Sequence, residues 1–218
     1  MVAPVLLFAA VGTYLLLNAS AGTTYNTVSD SFERSTLGAN WSVALGSVDI
    51  VNNSDLGFRA ASPIGIVSWK GTVLSADHFS QGSISSNKVS NMLTQVFARR
   101  RSSDGARYGF HYANDPNTTP AWQLKYDGVP TAQVRVLASS RSFPAPKPGD
   151  WLRIEARGSN PVEIKGYLNG TLVLRATDSS STRIFSGLPG LVQRLQVNTT
   201  TTYPTAVWES WYGGSLSS

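Results

Sequence analysis

Along most of the chain, apolar and polar positions alternate one by one in short runs, broken by Gly, Asn, Asp and Pro. "NMLTQVFARR" puts Met92, Thr94, Val96 and Ala98 on one face and Leu93, Gln95 and Phe97 on the other. "RYGFHYAND" places Tyr108, Phe110 and Tyr112 on one face, and "AWQLKYDG" does the same with Trp122, Leu124 and Tyr126. Period-two alternation bounded by turn residues predicts strands. "AQVRVLASS", "WLRIEARG", "VEIKGYLNGTLVLRAT" and "TAVWESWYGG" add more, and no amphipathic helix stands out after residue 30. About ten or more short strands in one unit predict a sandwich or a barrel.

Two local details follow from parity. Asn169-Gly170 is a strong hairpin signal. An odd-length loop with Gly170 left-handed aligns Val162, Ile164 and Gly166 with Leu172, Leu174 and Ala176 in one apolar face, so a three-residue turn is expected. Trp208 and Trp211 fall on opposite faces of a regular strand, so at least one packs inward.

The start of the chain departs from this pattern. Met1 to Leu17 is apolar apart from Thr13 and the Tyr14 hydroxyl, and as a helix it would reach about 25 Å. Ala19-Ser20-Ala21 has the small-x-small form of a cleavage site. Yet the basic residues that open a secretory signal or orient a membrane anchor are missing, since the first charge of either sign is Asp30. The expectation is therefore an uncleaved segment in which Val5, Leu6, Leu7, Phe8, Tyr14, Leu15, Leu16 and Leu17 pack against other subunits or identical chains. "TTYNTVS" then reads as a polar spacer, giving a segment and linker over 1–29, a β domain over 30–213 and a short tail over 214–218.

Composition narrows the chemistry. The 218 residues contain no cysteine, which excludes disulfides, thiolate metal sites and a cysteine nucleophile. A net charge of +5 permits an anionic partner, but nothing in the charge pattern points to nucleic acid. Arg99-Arg100-Arg101 forms a basic cluster that reads either as an anion or acidic-partner site or as the solvated end of a hairpin. His78 and His111 have no metal-ligand spacing and no triad partner nearby. No cofactor is expected; Asp77, Asp104 and Asp115 form no spaced ligand loop, and a structural calcium ion is left open.

Asp30-Ser-Phe32-Glu-Arg34 with Leu37-Gly38-Ala-Asn-Trp41, then Gly149-Asp150-Trp-Leu152-Arg153, Tyr167-Leu-Asn169-Gly170 with Asp178, and Gly187-Leu-Pro-Gly190 resemble the laminin-G-like, concanavalin A-like jelly rolls. The resemblance implies an all-β, antiparallel two-sheet jelly-roll sandwich. It leaves function open, since lectins, glycanases, adhesion modules and virion proteins share the fold. In the hydrolase branch, paired carboxyl groups sit on one strand in a Glu-x-Asp-x-x-Glu arrangement, and a retaining mechanism needs them about 5 Å apart. Glu33, Glu155, Glu163 and Glu209 match no such motif, and Glu155, between Arg153 and Arg157, reads as a solvated strand face, so no enzyme activity is expected. Tyr108, Tyr112, Trp122 and Tyr126 form either a stacking platform for glycan or part of the core.

An apolar, uncharged start followed by a Thr/Ser-rich link and a laminin-G-like domain is similar to minor tail or decoration proteins of tailed phages, particularly those of actinobacteria. That resemblance implies a non-enzymatic component at the tail or outer surface of a virion, joined to other virion subunits through residues 1–17 and contacting host-surface glycans. The alternative reading is a membrane-anchored or secreted carbohydrate-binding protein of a bacterial cell surface.

Overall fold

The computed structural model describes residues 24–58, 64–72, 74–86, 92–114, 119–128, 134–195 and 205–217. The apolar segment with its eight expected anchor side chains, and Asp115, lie outside the described residues. The strands are β1 (Thr24–Asp30), β2 (Trp41–Leu45), β3 (Val48–Val51), β4 (Asp55–Phe58), β5 (Ile64–Trp69), β6 (His78–Ile84), β7 (Met92–Arg100), β8 (Arg107–Ala113), β9 (Ala121–Asp127), β10 (Arg135–Ser140), β11 (Trp151–Arg157), β12 (Val162–Leu168), β13 (Thr171–Asp178), β14 (Leu188–Leu195) and β15 (Thr205–Leu216). Among the described residues, one sheet of eight strands runs β13-β12-β11-β6-β15-β4-β3, with β1 also on β15, and one of seven runs β10-β9-β8-β7-β14-β5-β2. All pairings are antiparallel. The chain is an all-β jelly-roll sandwich.

The core is the meeting of the two inner faces. Tyr108, Phe110, Trp122, Leu124 and Tyr126 of the seven-stranded sheet pack in one cluster with Leu152, Ile154, Ile164, Leu174, Trp208 and Trp211 of the eight-stranded sheet. The motif residues hold the ends. Asp30 accepts hydrogen bonds from the Phe32 backbone N–H at 2.8 Å, from Arg34 Nη2 at 2.7 Å and from Trp41 Nε1 at 2.7 Å. That fixes Trp41 at the edge of Trp69 and Trp211, whose rings stack 5.1 Å apart. Asn169 Nδ2 donates to Asp150 and Asn169 Oδ1 accepts from the Trp151 N–H, both at 2.8 Å, so the β12–β13 hairpin is tied to the start of β11.

Three expectations are corrected. The presumed spacer is strand β1, paired with β15 from Thr24↔Leu216 to Asp30↔Trp211, so the sandwich extends beyond 30–213 at both ends. The β12–β13 turn has two residues, with Asn169 at φ 50° and Gly170 at φ 79°. Parity is restored by a bulge inside the hairpin: Tyr167 pairs with Leu172 but Gly166 pairs with Leu174. Leu172 is thereby left 45% exposed while Val173 and Leu174 are both buried. A bulge at Glu209 does the same for β15, where Trp208 pairs with Ile84 but Ser210 with Ser83, and both tryptophans end fully buried in the core.

Candidate glycan-contact face

The inward aromatics of β8 and β9 decide what faces outward. With Tyr108, Phe110, Trp122, Leu124 and Tyr126 in the core, the opposite face of these strands carries Arg107, Gly109 and His111, then Gln123, Lys125 and Asp127. Register extends this face across the sheet. Gln95 pairs with His111 and Phe97 with Gly109 on β7, and Val192 and Gly190 of β14 continue the same two rows, followed by Ile66 and Ser68 of β5.

The centre of this outer face is covered. Gln95 is 4% exposed and His111 3%, although both point away from the sandwich core, and Phe97, Ile66 and Val192 form a second buried apolar cluster. The covered layer therefore has two halves, an apolar one of Phe97, Val192 and Ile66 and a polar one over β7, β8 and β9; nearer the surface stand the half-buried Gln123, Lys125 and Asp127 and the exposed Arg194.

Gly109 makes the polar half possible. A Cβ there would lie 2.1 Å from Gln95 Nε2. With none, the Gln95 amide crosses β8 and donates to Asp127 Oδ2 on β9 at 2.9 Å, its Nε2 also lying 3.4 Å from His111 Nδ1. Arg107 adds an ion pair to Asp127 at 3.5 Å and lies over the Phe97 ring, 5.8 Å from its centroid. Burial, reinforced by the charges of Lys125, Arg107 and Arg194, pushes His111 down to about 3. Its imidazole is neutral at physiological pH and acts as a hydrogen-bonding group, not a proton carrier.

The residues singled out from sequence are distributed otherwise. Tyr108, Trp122 and Tyr126 are 0–1% exposed, so they present no ring face to a sugar. Trp122 stacks on Phe110 at 4.9 Å and donates Nε1–H to the Pro144 carbonyl at 2.9 Å. Tyr108 donates to Asp178 at 2.9 Å, and the half-buried Tyr112 sits edge-on to Trp122 at 5.4 Å. The platform is core because hydrogen-bond partners for the polar tips lie inside the sandwich.

The arginine run is divided as well. Arg99, in the left-handed region at φ 54°, is fully buried, bonding Asp77 at 2.9 Å and the carbonyls of Ala76 and Ile184 at 2.8 and 3.0 Å. It is an internal tie and does not reach a partner. Its backbone N–H also donates to Nε2 of the buried His78, whose Nδ1 lies 2.9 Å from the Ser75 carbonyl. Arg101 closes its own hairpin on Asp104. Arg100, whose Nε is buried, lies close enough to Arg107 to depress it.

Glu155 is not solvated. Its side chain is 10% exposed, held by Arg153 at 2.6 Å, Arg157 at 3.6 Å and the Tyr167 hydroxyl at 3.3 Å on the outer face of the eight-stranded sheet. Asp77 and Asp104 are engaged by arginines, and among the described residues no group of three His, Asp or Glu is placed to hold a metal ion. A cavity of about 240 Å³ at the sandwich rim is lined by Trp69, Gly71, Leu74, Gly187, Leu188 and Pro189 among others. Trp69 there is stacked on Trp211 at 5.1 Å and meets Trp41 edge-on at 5.4 Å.

Sequence reasoning passed over Gln95, His111, Lys125 and Asp127. Their signal was the polar set alternating with the aromatics, and only strand register shows that the three sets share one patch.

No protein-family model matches the chain, and no curated protein matches it. Among solved structures it is similar to an uncharacterized protein from Mycobacterium paratuberculosis, at 12% identity and TM-score 0.54 over 85% of this chain and 99% of that one. LamA from Z. galactanivorans, in complex with laminaritriose and laminaritetraose, matches at 10% identity and TM-score 0.53 over 89% and 100% of the two chains. The CBM2 module of Lactobacillus casei BL23 phage J-1 evolved Dit matches at 11% identity and TM-score 0.52 over 90% and 98%. These likenesses show the fold, a jelly-roll sandwich of the kind found in carbohydrate-binding modules and glycosidases.

Proposed function

We propose that this protein is a non-catalytic glycan-contacting module of a virion, held in the particle by its apolar N-terminal segment. The observation that carries the glycan reading is the outer face of the seven-stranded sheet, where the half-buried Gln123, Lys125 and Asp127 stand in one row along β9 above the buried Gln95 and His111. The hydroxyls of a pyranose want amide, ammonium and carboxylate partners of this kind. Support comes from the fold, shared with LamA in complex with laminari-oligosaccharides and with the CBM2 module of a phage Dit protein. Binding without turnover fits the chemistry of the face: among the described residues the carboxylate there is Asp127, already engaged by Gln95 and Arg107, where glycoside hydrolysis asks for two.

The virion placement rests on the apolar, uncharged start and its resemblance to phage tail proteins. The test has two arms. A cell-wall polysaccharide panel probed with the full chain should give binding that Gln123→Ala weakens, with no release of reducing ends. Mass spectrometry of purified particles should recover a peptide spanning Val2 to Leu17. A mature chain beginning at Gly22 would instead move the protein to the secreted class.

A further inference from the structure

The six tryptophans are not equally hidden. Trp41, Trp69, Trp122, Trp208 and Trp211 are 0–5% exposed, whereas Trp151, at the start of β11, is half-buried. Leu152, Ile154 and Ala156 of that strand point into the core, so alternation turns Trp151 onto the outer face of the eight-stranded sheet. Tyr212 of β15 is half-buried too and stands on the same face, because its neighbour Trp211 packs inward. The two rings meet 5.4 Å apart at 56°, across the intervening strand β6.

Trp151 pairs with Ser83 and Tyr212 with Gln81, and the short Ser83 side chain leaves room for the rings to meet. The Ser83 hydroxyl donates to the carboxylate of the exposed Glu209 at 3.3 Å, and Gln81 is half-buried. The ring pair therefore has an amide and a carboxylate beside it.

A second, independent observation explains why the rings stay accessible. Arg153, the next outward residue on β11, turns away from Trp151: its guanidinium lies 3.8 Å from the Phe79 ring centroid and bonds Glu155 at 2.6 Å. Tyr167 of β12, which pairs with Arg153, directs its hydroxyl to the same Glu155 at 3.3 Å. Phe79 and Glu155 are themselves a cross-strand pair, so the long side chains flanking Trp151 are committed to a row further along the sheet.

We propose that Trp151 and Tyr212 form a second glycan-contact site, which stacks on the C–H face of an uncharged pyranose while Gln81 and Glu209 take its hydroxyls. The proposal rests on the glycan-contact reading and adds a site of different chemistry on the opposite side of the sandwich. Aromatic faces offer what sugar C–H groups want, with a few polar groups to fix orientation. The Glu209 carboxylate beside the rings disfavours an anionic sugar, and Arg153 is already matched by Glu155. Two half-buried rings bounded by Gln81, Arg153 and Glu209 fall well short of the roughly 800 Å² per partner that a stable protein interface covers.

The experiment is titration of the full chain with laminarin, galactomannan and xyloglucan, read by calorimetry, tryptophan emission and iodide quenching. Iodide quenches exposed indole, so with five tryptophans buried its effect reports on Trp151. At least one polymer should shift the emission and lower iodide quenching about twofold or more, with an affinity that changes by less than about twofold between low and high salt. Trp151→Ala should abolish the emission shift and, like Tyr212→Ala, weaken binding about tenfold, whereas Trp151→Phe, which keeps a ring, should retain most of it. Iodide protection needs no variant and so stands even where a substitution fails to fold. A polymer that binds without changing emission or quenching, or that Trp151→Ala and Tyr212→Ala bind as tightly as the natural chain while Gln123→Ala weakens it, overturns the aromatic site and leaves the seven-stranded face standing. Binding lost with the rings but indifferent to Gln123→Ala upholds the aromatic site and overturns the other. Binding to none of the three overturns both.

Discussion

Gln95 on β7 donates a 2.9 Å hydrogen bond to Asp127 on β9, crossing the intervening strand directly above Gly109. Three consecutive strands are thereby linked on the face that points away from the core. The bond exists because the residue between its partners has no side chain.

Gly109→Ala should therefore break it. The new Cβ would displace the Gln95 amide, leaving Asp127 with Arg107 alone, and the expected loss of stability is about 1–3 kcal/mol. Urea denaturation checks this, and a Gln95→Ala, Gly109→Ala double variant should be less destabilised than the sum of the two single changes.

Trp122→Ala separates core from platform. Because the ring is buried against Phe110 and Tyr112, the substitution should destabilise the fold by about 3–5 kcal/mol. A variant with wild-type melting temperature and lost glycan binding would return Trp122 to the ligand face.

How much was legible in the sequence follows from the same strands. Alternation in "RYGFHYAND" and "AWQLKYDG" identified which side chains share a face, and burial then decided which face is inside. Bulges were not legible. One residue added at Glu209 brings Trp208 and Trp211 to the same side, and one in β13 gives Gly166 the partner Leu174 after a two-residue turn. Arg99 was read as surface because charge normally is, yet its positive φ turns it inward onto Asp77 and two carbonyls. The polar face was missed because Gln95, His111 and Asp127 are single residues on three strands, joined only by register. The motifs from Asp30 to Trp41 were legible because each is a turn or anchor with a local partner.

Acid should destabilise the protein in a defined window. Burial pushes His78 down to about 4, and burial with neighbouring cations pushes His111 down to about 3. Above pH of about 6.5 both are neutral folded or unfolded and contribute no pH dependence. As pH falls below that value, the unfolded chain takes up protons the folded chain excludes, so stability drops by about 1.4 kcal/mol per pH unit for each histidine until the folded groups titrate. Asp30 extends the loss at lower pH: burial would raise its carboxyl, but hydrogen bonds from Arg34, Trp41 and Phe32 hold it below its usual value. Its stabilisation is present above the unfolded pKa and is lost as pH falls through the folded one. Thermal melts from pH 8 to 3 test this, and His111→Gln should remove one proton's share of the slope.

Strand β1 makes a prediction about truncation. A chain starting at residue 23 keeps the β1–β15 pairing, whereas one starting at residue 30 loses it and uncovers that edge of β15. The shorter chain should melt several degrees lower, on the order of 5 °C, by scanning calorimetry. Equal melting temperatures would show that β1 adds nothing to the sandwich.

Hydrogen exchange with bound glycan tests the central claim most directly. The full chain, saturated with whichever polysaccharide the panel identifies, should gain protection in β7, β8, β9 and β14, whose outer residues form this face. Protection confined to β11, β12 and β13 of the other sheet, or to the rim cavity around Gly71 and Gly187, would contradict it.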